Sequence, residues 1–445
     1  MITAPENDTL TQVGPGTPMG ELMREYWIPA AMSTELKADG DPMRLMLLGE
    51  KLVAFRDSSG KVGIFDHRCP HRRASLFFGR NEQGGIRCVY HGWKFDTSGQ
   101  CLETLNVPDP AFKDHVRAKA YPAAERNGLI YAYMGKAAVL PPLPEIEPAL
   151  ADEKDVHIQF EFRECNWLQA VEGELDTSHV GIMHFGAVLA KDLDQDAHQK
   201  LLVANRAPEY KIAETDYGYI YGAHRPADEG KLYWRIGQFL MPFWTMPPIN
   251  QLATNVLLRV YLPVDDQHTM VIAIVKNGAY PPSRMKLNEQ IAGASQNYPF
   301  LPNTTDWLGR WRLRANQHND FEIDREVQRT KSFTGIEGVQ LQDQAIQESM
   351  GTIADRPGEQ LAPSDIMIVR VRRLLMQAVM DYQEKGILPP TVSDGGLYRG
   401  PRGGHFIADA DVEWRDGYAQ VLKGSPWESV GKEDAKATGK SMAAA

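Results

Sequence analysis

Short alternating runs of apolar and polar residues fill the first third of the chain. Around Gly20–Glu35 the pattern predicts a short helix that leads into a strand at Tyr26-Trp27-Ile28-Pro29. Arg44–Leu48 and Leu52–Arg56 read as strands flanking a Gly49-Glu50 turn. The Asp57-Ser-Ser-Gly60 turn leads to a strand at Val62–Phe65, and Leu129–Met134 closes the set. Residues 1–140 are therefore expected to form a small all-β domain with its core at about 43–136. Four prolines between Val139 and Pro148 predict an extended linker over residues 141–150, with a proline-rich docking peptide as the rival reading.

Beyond the linker the periods are mixed. His157–Arg163, Tyr210–Tyr221, Leu232–Pro242, Asn255–Leu262 and Met270–Val275 read as strands of one sheet. Asn166–His184 is expected to be helical, and Met285–Arg329 mostly helical and irregular. Ser364–Glu384 carries the clearest helical stripe: Ile368, Val371, Leu374, Leu375, Ala378 and Val379, with Ser364 or Asp365 to cap it and Gly386 to end it. Its Arg370, Arg372 and Arg373 read as a solvated face. These elements predict an α+β chain: an N-terminal β domain, then a domain at 151–427 with a central antiparallel sheet surrounded by helices. The Lys/Ala/Gly-rich stretch 428–445 is expected to be disordered.

Composition narrows the classes. An apolar fraction of 43% and a charged fraction of 24% over 445 residues suit a globular protein of two or three domains. The net charge of −10, with no basic run, argues against nucleic acid and anionic membranes as partners. The first residues lack the basic and apolar regions of a secretory signal, and no stretch approaches the ~18 apolar residues of a membrane span. A cytoplasmic protein is expected. There are four cysteines. Cys101 and Cys165 are read as reduced thiols, with a disulfide between them as the alternative.

The other two cysteines carry the chemistry. Cys69-Pro70-His71 and Cys88-Val89-Tyr90-His91 each offer a thiolate and an imidazole. Two Cys and two His are the ligands of a Rieske [2Fe–2S] cluster. Zinc accepts the same set, but a zinc finger places its histidines three to five residues apart on a helix, and no such pair follows. Pro70 stiffens one loop and Gly92 permits a sharp turn in the other.

A cluster stores one electron, and a second site must use it. Asp176-Thr-Ser-His179-Val-Gly-Ile-Met-His184 offers two imidazoles and a carboxylate. Non-haem Fe(II) that activates O₂ is held by two His and one carboxylate. On one regular helix a spacing of five turns His179 and His184 ~140° apart. The helix must end or distort between them, and Gly181 is the natural place. Asp176 can hydrogen-bond an imidazole from outside the coordination sphere.

These motifs resemble the oxygenase (alpha) component of Rieske non-haem iron ring-hydroxylating oxygenases, in the phthalate dioxygenase-like branch. The match is carried by Cys69-Pro-His71, Cys88-Val-Tyr-His91-Gly-Trp93, Asp176-x2-His179-x4-His184, Arg72-Arg73-Ala-Ser-Leu76 and Gln340–Gly351, and covers most of residues 10–385. The resemblance implies that Asp343 is the third iron ligand; spacing alone leaves Asp320, Asp324 and Glu337 open. It implies a homotrimer or a dimer of trimers, in which Asp176 bridges His91 of one chain to His179 of the next. It also implies a separate flavin and iron–sulfur reductase that takes electrons from NADH. No G-x-G-x-x-G opens a βαβ unit here, so this chain is not expected to bind NADH itself. Respiratory Rieske proteins add a disulfide beside the ligands; this chain has no cysteines for one there.

The implied reaction is O₂-dependent hydroxylation of an aromatic carboxylate such as phthalate or a substituted benzoate. Oxidative O-demethylation or diaryl-ether cleavage of an aromatic acid is the alternative, and a Rieske electron carrier without oxygenase activity is the reading from another class. Arg235 interrupts an apolar, aromatic strand and suits bidentate capture of a substrate carboxylate; Arg206 is the second candidate. For each, a structural salt bridge is the competing role.

Overall fold

The computed structural model describes residues 2–189, 191, 193, 198–252, 256–276 and 298–423. Two short helices open the chain. Ala4–Thr11 is capped by Thr3, whose side chain and Glu6 satisfy each other's backbone N–H groups, and Pro18–Arg24 starts from Thr17 with Pro18 in its first turn. Three small antiparallel sheets follow. Trp27–Met32, Leu129–Tyr133 and Ala123–Arg126 form one; Met43–Leu47, Glu50–Arg56, Val62–Asp66 and Ala120–Tyr121 form the second. The third joins Arg80–Glu82, Gly85–Arg87, Lys94–Phe95 and Cys101–Glu103, and a separate apolar core of Val53, Phe55, Phe65, Leu76, Ile86 and Phe95 lies beneath it.

An eight-stranded antiparallel sheet dominates the rest. Its order is Val156–Arg163, Thr269–Lys276, Leu257–Pro263, Trp244–Met246, Lys231–Leu240, Gly218–Pro226, Glu209–Thr215, with Gly404–Asp409 also paired to Lys231–Leu240. Alternation gives this sheet two faces. Trp234, Ile236 and Phe406 point to one, where Trp414 of the helix Trp414–Leu422 packs on them. Tyr221 and Ala223 point to the other, beneath helices Trp167–Leu175 and Ile366–Lys385. The expected α+β architecture is the one observed. The chain from Pro141 to Pro148 is pinned to the first sheet, with Trp27 donating to the Pro141 carbonyl at 2.7 Å and Asn127 to that of Pro148 at 2.7 Å.

Several local expectations need correction. The helix expected over Asn166–His184 spans only Trp167–Leu175, with Asn166 accepting from the Leu168 N–H at 3.0 Å as its cap. The single strand expected at Tyr210–Tyr221 is a hairpin, Glu209–Thr215 against Gly218–Pro226. Its turn sits among aromatic residues that alternate like a strand, so the period alone hid it. Within Met285–Arg329, residues 285–297 lie outside the described residues, and the remainder holds a 3₁₀ segment at Gln317–Glu322 and one short helix at Arg325–Thr330. The tail 428–445 also lies outside them, as does Asn255. Among the described residues, no helix is long and apolar enough to cross a membrane.

The long helix runs from Ile366 to Lys385 and ends at Gly386, whose φ of 67° suits a residue without Cβ. Met367, Val371, Leu375 and Val379 are buried along one stripe, each contributing about 1.5–3 kcal/mol. Arg370 and Arg373 are exposed as expected, but Arg372 is not. It is buried, with Nε 2.6 Å from Glu172 Oε1 and Nη1 2.6 Å from Glu359 Oε2. Arg356 brings a second guanidinium to Glu172, Nη2 to Oε2 at 2.9 Å, and donates to Asn7 Oδ1 at 3.0 Å. This network fastens the first helix and the long helix to helix Trp167–Leu175. A helical stripe reports which residues face inward, and a charged residue beside it is buried only if a distant partner meets it. That partner, Glu172, is 200 residues away in sequence.

Glu172→Gln keeps the shape and leaves two buried guanidiniums without a counter-charge. It is expected to destabilise the fold by about 3–5 kcal/mol, read from urea or thermal unfolding midpoints at pH 7. Burial pushes the Glu172 carboxyl up, and Arg356 and Arg372 outweigh it, so it lies below its ordinary value. The difference between wild type and variant should therefore be complete above about pH 4.3 and shrink as the pH falls below it.

Candidate metal centres

The two Cys/His loops are built alike. Cys69 N–H donates to the Ala74 carbonyl and Arg73 N–H to that of Cys69; Cys88 N–H donates to the Trp93 carbonyl and Gly92 N–H to that of Cys88. In each loop the chain turns through a positive φ at the equivalent place, 61° at Arg73 and 77° at Gly92. A Cβ on Gly92 would also lie 2.6 Å from the Leu105 side chain. The fold brings all four side chains together. Cys69 and Cys88 are buried and hydrogen-bonded; that bond lowers the Cys88 thiol to about 6 and raises the Cys69 thiol, which burial raises further. The His71 and His91 rings stand 4.4 Å apart, with His71 stacked on Trp93 at 4.3 Å. His91 Nδ1 is buried without a partner. Two inward sulfurs and two outward imidazoles fit the donor set of a Rieske cluster, with both histidines on the solvent side. Cys101 and Cys165 are free buried thiols. Burial pushes Cys165 up to about 12.

The second centre begins where helix Trp167–Leu175 stops. Asp176 is its last capping residue, and its Oδ1 accepts from the Ser178 N–H at 2.7 Å and hydroxyl at 2.6 Å. This side-chain turn competes with helix continuation. The break thus falls at Asp176 rather than at the expected Gly181. A Cβ on Gly181 would lie 2.7 Å from the Leu202 carbonyl, so that glycine serves the approach of helix Gln199–Ala204 instead. After the turn, His179 and His184 come onto one point: their Nε2 atoms are 3.2 Å apart. Asp343, in the second turn of helix Val339–Ser349, places Oδ1 3.4 Å from His179 Nε2 and 3.3 Å from His184 Nε2. Asp324 caps another helix, and Asp320 and Glu337 are exposed. Only Asp343 of the four acids joins the pair.

Outer contacts orient both rings. Asp176 Oδ2 lies 3.4 Å from His179 Nδ1. Gln342 Nε2 donates to the Ile336 carbonyl at 2.9 Å, so its Oε1, 2.8 Å from His184 Nδ1, must accept. Each ring therefore carries its proton on Nδ1 and turns Nε2 inward. In the metal-free protein burial disfavours charge on His179 but Asp176 and then Asp343 raise it to about 10, and a bound cation would displace the proton this places on Nε2. Burial likewise works to raise Asp343, and the two imidazoles hold it well below the usual carboxylate range. Two imidazole nitrogens and a carboxylate oxygen within 4.8 Å of one another fit a divalent metal with open positions.

A cavity of ≈ 100 Å³ opens on this trio. Val180, Phe185, Leu202, Pro247, Pro248 and Ile249 form its apolar wall. Arg235 enters from the sheet, 4% exposed, and its Nε donates to Thr177 Oγ1 at 2.7 Å. Among the described residues no carboxylate pairs with it. Arg206 is exposed, donates to the Gly186 carbonyl at 3.1 Å and does not line the cavity. Sequence reasoning missed Gln342, Thr177 and Arg259, the last of which lines the cavity and pairs with Glu174. Arg259 interrupts an apolar strand as Arg235 does, so the same signal was available; nothing in the spacing singled out Gln342.

An electron-storing loop pair and a two-histidine, one-carboxylate centre define an oxygen-activating metalloenzyme. Two family models match: the Rieske [2Fe-2S] domain over residues 26–117 and the LigXa C-terminal domain like family over residues 132–392. The oxygenase subunit of 3-chlorobenzoate-3,4-dioxygenase from Comamonas testosteroni is 45% identical over 95% of this chain and 99% of its own length. The phthalate 4,5-dioxygenase oxygenase subunit of Pseudomonas putida is 33% identical over 95% and 96%. An oxygenase–ferredoxin complex of carbazole 1,9a-dioxygenase shares the fold, with a TM-score of 0.53 at 20% identity over 84% of this chain and 94% of that one. The chain belongs to the Rieske oxygenases, in the phthalate dioxygenase-like branch, as an oxygenase subunit that incorporates O₂.

Gln342→Leu removes the acceptor that fixes the His184 ring. Metal affinity of the second centre is expected to fall about 10- to 100-fold, measured by competition with graded chelator, while the visible absorption of the cluster stays unchanged.

Proposed function

We propose that this protein hydroxylates an aromatic carboxylate, with phthalate and substituted benzoates as the substrate class. The observation that carries the reading is Arg235: a buried guanidinium with no carboxylate partner among the described residues, lining the cavity beside the metal-binding trio. A planar fork of donors there suits bidentate capture of a carboxylate. The names of the two relatives, a chlorobenzoate and a phthalate oxygenase subunit, support the same class.

In this reading Cys69, His71, Cys88 and His91 hold the [2Fe–2S] cluster in an electron-storage module, residues 1–140. His179, His184 and Asp343 hold Fe(II) in a module at 151–427. The metals supply one-electron storage and O₂ activation; the protein supplies position. Asp176 and Gln342 keep the two imidazole protons on Nδ1, so both Nε2 lone pairs stay available. Arg235 anchors the acid group, which fixes the ring against the open side of the centre. The apolar wall excludes water. Electrons come from NADH through a separate flavin and iron–sulfur reductase. Asp176 bridges His91 of a neighbouring chain to His179 in a trimer or a dimer of trimers. Cys101 and Cys165, the two cysteines outside the cluster, are unpaired and suit the reducing cytoplasm.

With a generic NADH-dependent reductase, O₂ uptake should require an aromatic acid. Arg235→Met should raise KM for benzoate or phthalate on the order of 10- to 100-fold and leave a neutral analogue such as benzamide unaffected. Equal losses for acid and amide would remove the carboxylate reading. His179→Ala or Asp343→Ala should empty the third iron and keep the cluster spectrum. Product analysis separates a ring diol from the formaldehyde of O-demethylation.

A further inference from the structure

A second cation lies diagonally across from Arg235 on the neighbouring strand, on the same face of the large sheet. Arg225 stands opposite Tyr233 across paired strands, Ala223 opposite Arg235, and Tyr221 opposite Gly237; Tyr210 stands opposite Ala223 on the other side. Directly opposite residues in an antiparallel pair point the same way, so these side chains share one surface. A Cβ on Gly237 would lie 2.4 Å from the Tyr221 ring, so the missing side chain is what lets that phenol lie over the strand.

The cluster is rich in donors, and among the described residues no acid pairs with its guanidinium. Arg225 is fully buried, at 0% exposure. Its Nε donates to the Asn205 carbonyl at 2.7 Å. Its Nη1 and Nη2 and the Tyr221 hydroxyl are buried without a hydrogen-bond partner, and the buried hydroxyls of Tyr210 and Tyr233 have at most loose contacts with Ser178 and Arg235. The phenols are no counter-ions, because burial raises all three and keeps them protonated at neutral pH. Burial, and then the neighbouring Arg235, lower Arg225 only to about 10, so it stays charged. Arg235 apart, the other deeply buried arginines described around the centre each have an acid: Arg163 has Glu161, Arg259 has Glu174, and Arg356 and Arg372 share Glu172. A buried guanidinium with unfilled donors and no counter-charge is strongly disfavoured unless an anion completes it.

We propose that Arg225, with the hydroxyls of Tyr210, Tyr221 and Tyr233, is a binding site for a small monovalent anion, a halide or an aromatic carboxylate, beside Arg235 on the sheet. The site does not depend on Arg235 capturing substrate, and the two assignments fail separately. Bound there, the anion neutralises the sheet face on which Arg235 stands.

The test is thermal unfolding of the full-length metal-loaded protein in a gluconate buffer, titrated with sodium chloride, sodium bromide or sodium benzoate. The wild-type midpoint should rise saturably by several degrees, as expected of a ligand that binds only the folded state. Arg225→Met should lose the response and be no less stable than wild type in gluconate, because it removes an uncompensated charge. A response to halides as well as benzoate identifies a free ion; a response to benzoate alone that Arg225→Met abolishes identifies a substrate carboxylate. A benzoate response lost in Arg235→Met but kept in Arg225→Met supports the cavity assignment and overturns this one. A wild-type midpoint flat in all three salts overturns it, as does an Arg225→Met variant equally destabilised in gluconate and in chloride. Should Arg225→Met not fold, bromide-soaked crystals of the wild type decide: an anomalous peak within hydrogen-bond reach of the Arg225 guanidinium upholds the site, and its absence removes it.

Discussion

Everything at the second centre depends on one backbone event: the helix must stop at Leu175. Asp176 stops it by folding its carboxylate onto Ser178, and the other oxygen of the same carboxylate faces the His179 ring. One side chain thus ends the helix, turns the chain and orients the first imidazole. Had the helix continued, the two histidines would have diverged by ~140°. The rest of the domain holds this short helix still. Glu172, one turn earlier, is clamped by Arg356 and Arg372. Gln169 donates to the carbonyls of Gln347 and Gly351 at 2.8 Å. At Gly173 a Cβ would lie 2.3 Å from Gln347 Nε2, so the glycine permits the close approach that carries Asp343 to the histidines.

That approach explains the density of buried charge around the site. Two helices crossing closely above a sheet leave no room for water, so each ionic group needs a protein partner. Arg163 meets Glu161 and also donates to Gln340 at 3.1 Å, in the helix that bears Asp343. Arg259 meets Glu174, in the helix that ends at Asp176. The pairs lock the ligand-bearing helices to the sheet. Against this background the lack of an acid at Arg225 and Arg235 is informative, because the same layer satisfies its other cations.

The first centre was legible in the sequence almost whole, since its ligands sit in two short loops whose geometry is local. Cys69, His71, Cys88 and His91 meet because each loop folds on itself with the same two hydrogen bonds. The second centre was legible only in part. His179 and His184 stood out by type and spacing, but their meeting depends on a turn that the helical period around them concealed. Asp343 comes from more than 150 residues away, and residue spacing carries no record of which of several acids a distant helix will present; family resemblance supplied it. Gln342 and Arg372 were invisible for a related reason. A polar residue within a helix looks solvated until the partner that buries it is known. The aromatic hairpin Glu209–Pro226 misled in the opposite direction, because alternation continued across its turn.

The two centres also differ in how they meet solvent. Cys69 and Cys88 are buried while His71 and His91 lie outside them, beside the exposed Val89 and Tyr90. At the other centre His184 is deeply enclosed, but the Asp176 and His179 side chains remain 23% and 22% exposed. Each centre therefore presents imidazole, or the carboxylate attached to it, at the surface and keeps its remaining ligands inside. The outer edge of the oxygen-handling centre thus stays partly open, and Phe185, Leu202 and Pro247 line the same cavity as Asp176 and His179, supplying the apolar surface beside these polar groups.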